Sequence, residues 1–187
     1  MNSMLDYNET KALEGGASFS LSHRWKRMAW NVTWALLASW TPPPLREWRR
    51  FLLKLFGARL GRLSDVRGSA KVWLPENLSM GDLSLIAEGA ICYNMAPIAL
   101  HDGVIVSQRS HLCAGTHDVD DPTFQILARP ITLMDGAWIA AEAFVGPGVT
   151  VGKRAVLGAR AVAFKTIPDN AIFVGNPARF VRERAPR

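Results

Sequence analysis

Apolar residues recur every six positions from Leu133 to Ala163: Leu133, Ile139, Val145, Val151, Leu157 and Ala163. Four residues after each of the first five comes a small or β-branched residue: Ala137, Ala143, Val149, Ala155 and Ala161. Gly146, Gly152 and Gly158 directly follow three of the leads. This period matches neither the 3.6 of a helix nor the 2 of a half-buried strand. It fits a chain wound as a prism, with one short strand and one corner per unit. The lead residue points inward and the small residue sits where space is tight, which is the hexapeptide β-helix pattern.

The phase extends upstream. Leu100, Val106 and Leu112 lead three units, and Leu74, Met80, Ile86 and Cys92 lead four. Cys92 to Leu100 is eight residues, which predicts a bulge near Asn94–Ala99. Leu112 to Leu133 is twenty-one, which predicts a loop leaving the prism over about residues 117–129. A β-sandwich alternates by two and does not hold a longer period. With three units per turn, residues eighteen apart stack: Leu133 on Val151 and Ile139 on Leu157. Neighbouring turns then lie ~4.8 Å apart. The end turns of such a stack need caps.

The N-terminal third has a helical pattern instead. In Trp25–Trp40 the apolar positions Trp30, Trp34 and Leu37 recur at helical spacing, until Pro42–Pro44 stop them. A second helical pattern runs from Leu45 to Phe56 and ends at Gly57. Neither run offers the about 20 apolar residues needed to span a bilayer. Two uses stay open: a cap on the open end of the prism, or an interfacial helix with Trp and Arg at headgroup level. The predicted organisation is an arm over 1–61, a β-helix over 62–167 and a closing segment over 168–187.

Composition narrows the class of partner. A formal charge of +6 points to an anionic partner: a phosphorylated ligand, a membrane surface or nucleic acid. No nucleic-acid motif accompanies the charge, so no nucleic-acid partner is expected. Cys92 and Cys113 form neither a disulfide framework nor a CxxC pair, which fits a reducing cytoplasm. The first twenty residues carry Asp6, Glu9 and Glu14 and no secretory apolar run.

Candidate chemistry gathers where the repeat breaks. His117 stands at the root of the excluded loop, and a loop beside a groove makes a pocket. Histidine can take and return a proton near neutral pH. From position alone it reads either as a catalytic base or as a solvated loop residue. Asp118 could orient it, but adjacent residues rarely face each other, so Asp118 is not counted. His101 and His111 lie in the repeat and His23 in the arm, too few and too scattered for a zinc site. Asn94, in the bulge, reads either as a turn residue or as a contact to a hydroxyl substrate. Lys165, Arg179 and Arg182 form a basic cluster near the C-terminus, suited to phosphates or simply solvated.

Five segments together resemble the hexapeptide-repeat acyltransferases: Ala114–Asp118, Pro130–Leu133, Trp138–Ile139, Val145–Gly152 and Gly175–Arg179. The similarity to the maltose and galactoside acetyltransferases covers roughly residues 62–185. The similarity to the acetyltransferases of colanic acid and exopolysaccharide biosynthesis is closer and covers nearly the whole chain. It takes in the Trp-rich segment, Leu45–Gly57 and Ser110–Asp118.

The resemblance implies a mainly β fold, a left-handed parallel β-helix with an N-terminal helical arm, although the usual handedness rule predicts the opposite winding. It implies a homotrimer with each site between two prisms, acetyl-CoA as donor, no metal, and a sugar or lipid-linked saccharide as acceptor. By that resemblance His117 is the catalytic base and Trp138 lies beside the CoA arm. The backbones of Ala141 and Ala159 meet the pantetheine. Lys165, Arg179 and Arg182 surround the CoA phosphates and adenine. Asn94 replaces a carboxylate that contacts the acceptor. With alanine at 141, only the backbone N–H can hold an oxyanion there.

The expected function is an O-acetyltransferase working by direct attack, ahead of a covalent route through Cys113. The rivals are another acyl group or an amine acceptor, and a non-catalytic solenoid used for assembly. The expected location is cytoplasmic, with contact at the inner face of the membrane.

Overall fold

In the computed structural model, which describes residues 19–185, the repeat winds into a parallel β-solenoid of about six coils behind a helical arm. Three faces rise along its axis. Leu60, Met80, Leu100, Leu133 and Val151 stack in register on the first. Val66, Ile86, Val106, Ile139, Leu157 and Phe173 stack on the second. Val72, Cys92, Leu112, Val145 and Ala163 stack on the third. All but Leu60 and Phe173 are buried, as are the small residues between them. Burial pushes the Cys92 thiol up to about 12.

Two details differ from the sequence reading. Leu74 leads no strand: the first coil begins earlier, with Leu60, Val66 and Val72 already six apart. Its small slots are Ser64 and Ala70, both buried. The eight-residue step from Cys92 to Leu100 therefore has a twin from Val72 to Met80, which holds the 3-10 turn Pro75–Asn77. The eighteen-residue stacking holds only after the loop, as Leu133 on Val151 and Ile139 on Leu157. Before it, partners such as Met80 and Leu100 are twenty apart.

Two helices form the arm. The first, α1 (Leu21–Leu37), starts at the N-cap Ser20, whose hydroxyl accepts from His23 N. The second, α2 (Arg46–Leu55), follows a 3-10 turn at Pro43–Leu45 and buries Leu52 and Leu53 in the solenoid core.

The arm's polar atoms explain its fit. Within the solenoid each coil donates N–H groups to the next: Asp65 N to Ser84 O, Arg67 N to Ile86 O, Lys71 N to Ala90 O, Trp73 N to Cys92 O. The matching carbonyls of the first coil have no coil before them, and leaving them unpaired is costly. Arm side chains take that place. Arg50 donates to Ser64 O at 3.0 Å and Arg49 to Val66 O at 2.8 Å. Trp34 donates to Ala70 O at 3.1 Å and Trp30 to Val72 O at 2.7 Å. Arg49 is fully buried, and Asp65 balances its charge at 3.0 Å.

At the other end, Ala171–Val174 extends the second face and Arg179–Glu183 folds back antiparallel on it. The reading of Asp6, Glu9 and Glu14 lies outside the described residues.

Candidate active site

The excluded loop leaves after His111–Cys113 as a hairpin, pairing Gly115–His117 with Ile126–Ala128. His117 is its outermost paired residue, opposite Ile126. Its imidazole stacks on Phe124, ring centroids 4.3 Å apart and planes 13° from parallel. Its Nδ1 lies 2.9 Å from the Phe124 carbonyl. A carbonyl only accepts, so Nδ1 carries a proton, and in the neutral imidazole the lone pair is on Nε2. The ring is exposed, so that lone pair is accessible.

The loop tip holds this arrangement. Phe124 adopts a left-handed backbone (φ 53°), which aims its carbonyl back at His117. Phe124 N donates to Asp121 O at 2.8 Å. Asp121 accepts from the Thr123 hydroxyl at 2.5 Å and from Thr123 N at 2.7 Å, and these bonds hold its carboxyl below the usual carboxylate range. Asp118 accepts from Asp120 N, so it serves the loop and not the imidazole.

A second feature runs along the solenoid corner between the second and third faces. Ala141 and Ala159 occupy this corner on successive coils, where Arg160 N donates to Ala141 O at 2.9 Å. Their own N–H groups donate to no group among the described residues. The corner between the first and second faces differs. There Asp82 accepts from Arg62 N, Asp102 from Asp82 N and Asp169 from Lys153 N, each at 2.7 Å. Alanine has no side chain to do the same, so one corner is closed by carboxylates and the other presents open donors.

Beside those donors, Glu142 bonds Arg160 at 2.6 Å and pairs with Arg109 at 3.3 Å. The hydrogen bond and charge of Arg160, then the charge of Arg109, hold its carboxyl low.

The other residues expected along the donor fall in two places. Trp138 lies in the outward row of the second face, 42% exposed, and its Nε1 donates to Ser107 Oγ at 2.9 Å. Lys165, Arg179 and Arg182 are exposed at the far end of the solenoid. The turn between Val174 and Arg179 is tied to the last coil by Val162 N to Gly175 O and Ala178 N to Val162 O. His117 thus leaves from the corner after the third face, whereas Ala141 and Ala159 stack one coil apart, at ~4.8 Å, on the corner between the second and third faces, below the basic end.

Asn94 is a correction. It is fully buried, and its amide is spent on one backbone residue. Leu74 N donates to Asn94 Oδ1 at 2.9 Å and Asn94 Nδ2 donates to Leu74 O at 2.6 Å. Asn94 thus acts as a side-chain rung joining the two stacked bulges, and it offers nothing to an acceptor. The sequence placed it in the right bulge but could not tell an inward from an outward amide.

His111 packs edge-on against Phe144 on the third face, and desolvation lowers its pKa. Among the described residues no three His, Cys, Asp or Glu side chains are grouped as metal ligands. The Phe124 carbonyl was not legible in the pattern, because it depends on one φ angle. The backbones of Ala141 and Ala159 were named only through the resemblance, since spacing does not show which N–H groups a corner leaves open.

No protein-family model matches the chain. It is 36% identical over 184 residues to WcaF of Escherichia coli strain K12, named as a colanic acid biosynthesis acetyltransferase, covering 98% of both chains. It is 30% identical over 89 residues to the galactoside O-acetyltransferase of the same strain, covering 46% of this chain and 44% of that one. A hexapeptide-repeat acetyltransferase from Vibrio cholerae shares the fold at a TM-score of 0.81 and 22% identity, covering 89% of this chain and 95% of the other. A maltose O-acetyltransferase from Clostridium difficile 630 does so at 0.79 and 22%, covering 89% and 90%. The identity with WcaF runs from end to end, and the solved relatives have the same solenoid, so the chain belongs to the hexapeptide-repeat acetyltransferase family that includes WcaF.

Proposed function

We propose that the protein is an acetyl-CoA-dependent O-acetyltransferase acting on a sugar hydroxyl, free or lipid-linked, in the cytoplasmic stages of exopolysaccharide biosynthesis. The observation that carries this reading is the His117 imidazole, fixed through Nδ1 so that Nε2 is the accessible base. His117 Nε2 takes the proton of the acceptor hydroxyl as that oxygen attacks the thioester carbonyl. The open N–H of Ala141, supplied by an adjacent prism of the trimer, holds the oxyanion that forms. His117 then returns the proton to the departing thiolate as the C–S bond breaks. Ala159 N–H, the Trp138 ring and the basic end formed by Lys165, Arg179 and Arg182 line the course of the donor. The solved relative from Vibrio cholerae has acetyl-CoA bound, which supports this donor.

A homotrimer completes the reading. The outward rows of the second and third faces are mostly apolar: after Asp65 come Leu85, Ile105 and Trp138 on one, and Lys71 and His111 share the other with Ile91, Phe144 and Val162. The first face shows Ser79, Ala99, Thr132 and Thr150 instead. Apolar rows on two faces and small or polar residues on the third suit a prism that buries two faces against its copies. Buried His111 Nε2, without a partner among the described residues, lies on one of those rows.

Turnover of acetyl-CoA with a panel of free, nucleotide-linked and lipid-linked sugars tests the reaction. His117→Ala is expected to keep the fold and CoA binding and to lose roughly 10²- to 10⁴-fold in turnover. Near-normal turnover would remove His117 as the base. CoA binding with no transfer to any hydroxyl or amine in the panel would favour a non-catalytic solenoid.

A further inference from the structure

The arm has an apolar face that the fold does not use. On α1, Leu21, Trp25, Met28, Val32 and Leu36 form one stripe, each 48–70% exposed. Trp30 and Trp34 of the same helix point the other way, into the solenoid. On α2, Trp48, Phe51 and Leu55 are spaced at i, i+3 and i+7 and are 41–67% exposed. Trp40, between the helices, is 69% exposed. Exposed apolar area of this extent marks an interaction surface.

The end of α1 is prepared to leave water. A helix ordinarily ends with carbonyls that need solvent. Here Ser39 Oγ donates to Ala35 O at 2.9 Å, Trp40 Nε1 to Leu36 O at 2.8 Å and Trp48 Nε1 to Leu37 O at 2.8 Å. The indole N–H groups are spent on the backbone while the rings stay at the surface. Burying this end in an apolar phase leaves none of these groups unpaired.

Charge selects the partner. From residue 19 to 57 the single acid is Glu47, held by Arg46 at 3.1 Å and Arg50 at 3.0 Å. Arg24 and Lys54 are exposed beside the two apolar stripes. A second copy docking through the same face would set like charges against each other. A bilayer with anionic headgroups meets them with opposite charge.

We infer that the outer face of α1 and α2 is a docking surface for an anionic lipid bilayer. The stripe residues enter the boundary between headgroups and acyl chains, and Arg24 and Lys54 stay at the phosphates. The helices lie in the interface: among the described residues no helix is long and apolar enough to cross a membrane. The inference stands whatever hydroxyl is acetylated.

Flotation of the full chain with phosphatidylcholine vesicles, with and without phosphatidylglycerol, tests it at low and high salt. Binding is expected to the phosphatidylglycerol-containing vesicles, weakened by salt. Arg24→Ala and Lys54→Ala should each weaken it roughly fivefold, about the effect of one basic residue at a surface. Leu36→Glu with Phe51→Glu should abolish it while CoA binding and turnover of a soluble acceptor stay normal. No flotation with either vesicle overturns the inference. So does binding indifferent to phosphatidylglycerol and salt, or a change of oligomeric mass in the Leu36→Glu, Phe51→Glu variant, which would assign the face to a copy of the chain.

Discussion

One backbone carbonyl sets the chemical state of His117. The Phe124 carbonyl accepts from Nδ1, the Phe124 ring stacks on the imidazole, and both depend on a left-handed φ at that residue. The imidazole is therefore oriented by the loop it stands on and not by a neighbouring carboxylate. At the opposite end of the solenoid the basic residues carry a different expectation. Arg179→Ala and Arg182→Ala should raise KM for acetyl-CoA more than they lower kcat, because contacts to a remote phosphate serve ground and transition states alike. Steady-state kinetics with acetyl-CoA varied checks this, and an unchanged KM in both would make the cluster a solvated tail. At this scale sequence was an uneven guide. The place of His117 at the root of the excluded hairpin was legible because the repeat fails there. Asn94 was misread because pattern gives a residue's position in a bulge but not the direction of its amide.

The arm shows how an element is fitted to a fold by its polar atoms as much as by its apolar ones. Its helices were legible from spacing, and so was the need for a cap. What spacing hid was that two indoles and two guanidinium groups stand in for the backbone of an absent coil. This gives a sharp expectation for Trp30, which is buried and donates to Val72 O at 2.7 Å. Trp30→Phe keeps an aromatic ring there but removes the donor. It is expected to destabilise the protein by about 1–3 kcal/mol, the usual cost of orphaning a buried carbonyl. Chemical denaturation of the two proteins measures it, and equal midpoints would mean that water replaces the indole. The first coil escaped the sequence reading for a related reason. Leu60, Val66 and Val72 hold the period, but the 3-10 turn at Pro75–Asn77 shifts the phase just after them.

For the whole molecule, the stacking order was legible because a fixed period dictates it, whereas the character of each outward face was not. Faces become distinguishable only when outward rows are seen side by side. The apolar rows of the second and third faces lead to an expected mass of three chains by light scattering. Ile105→Glu, in the outward row beside Trp138, should shift that mass toward a single chain and reduce turnover with it. A variant that stays assembled would move the contact to another face.

The caps have one more consequence, for how far the stack can grow. An open coil is an unpaired sheet edge, and an identical edge on another molecule is its natural complement. Stacked solenoids with both ends bare would polymerise into fibres. In this chain the leading edge has its acceptors occupied by arginine and tryptophan, under a helix that blocks approach. The trailing edge of the second face ends in an antiparallel strand, out of step with a parallel coil. The devices that complete the hydrogen bonding of the terminal coils thus also keep a repetitive, self-complementary architecture from becoming a filament.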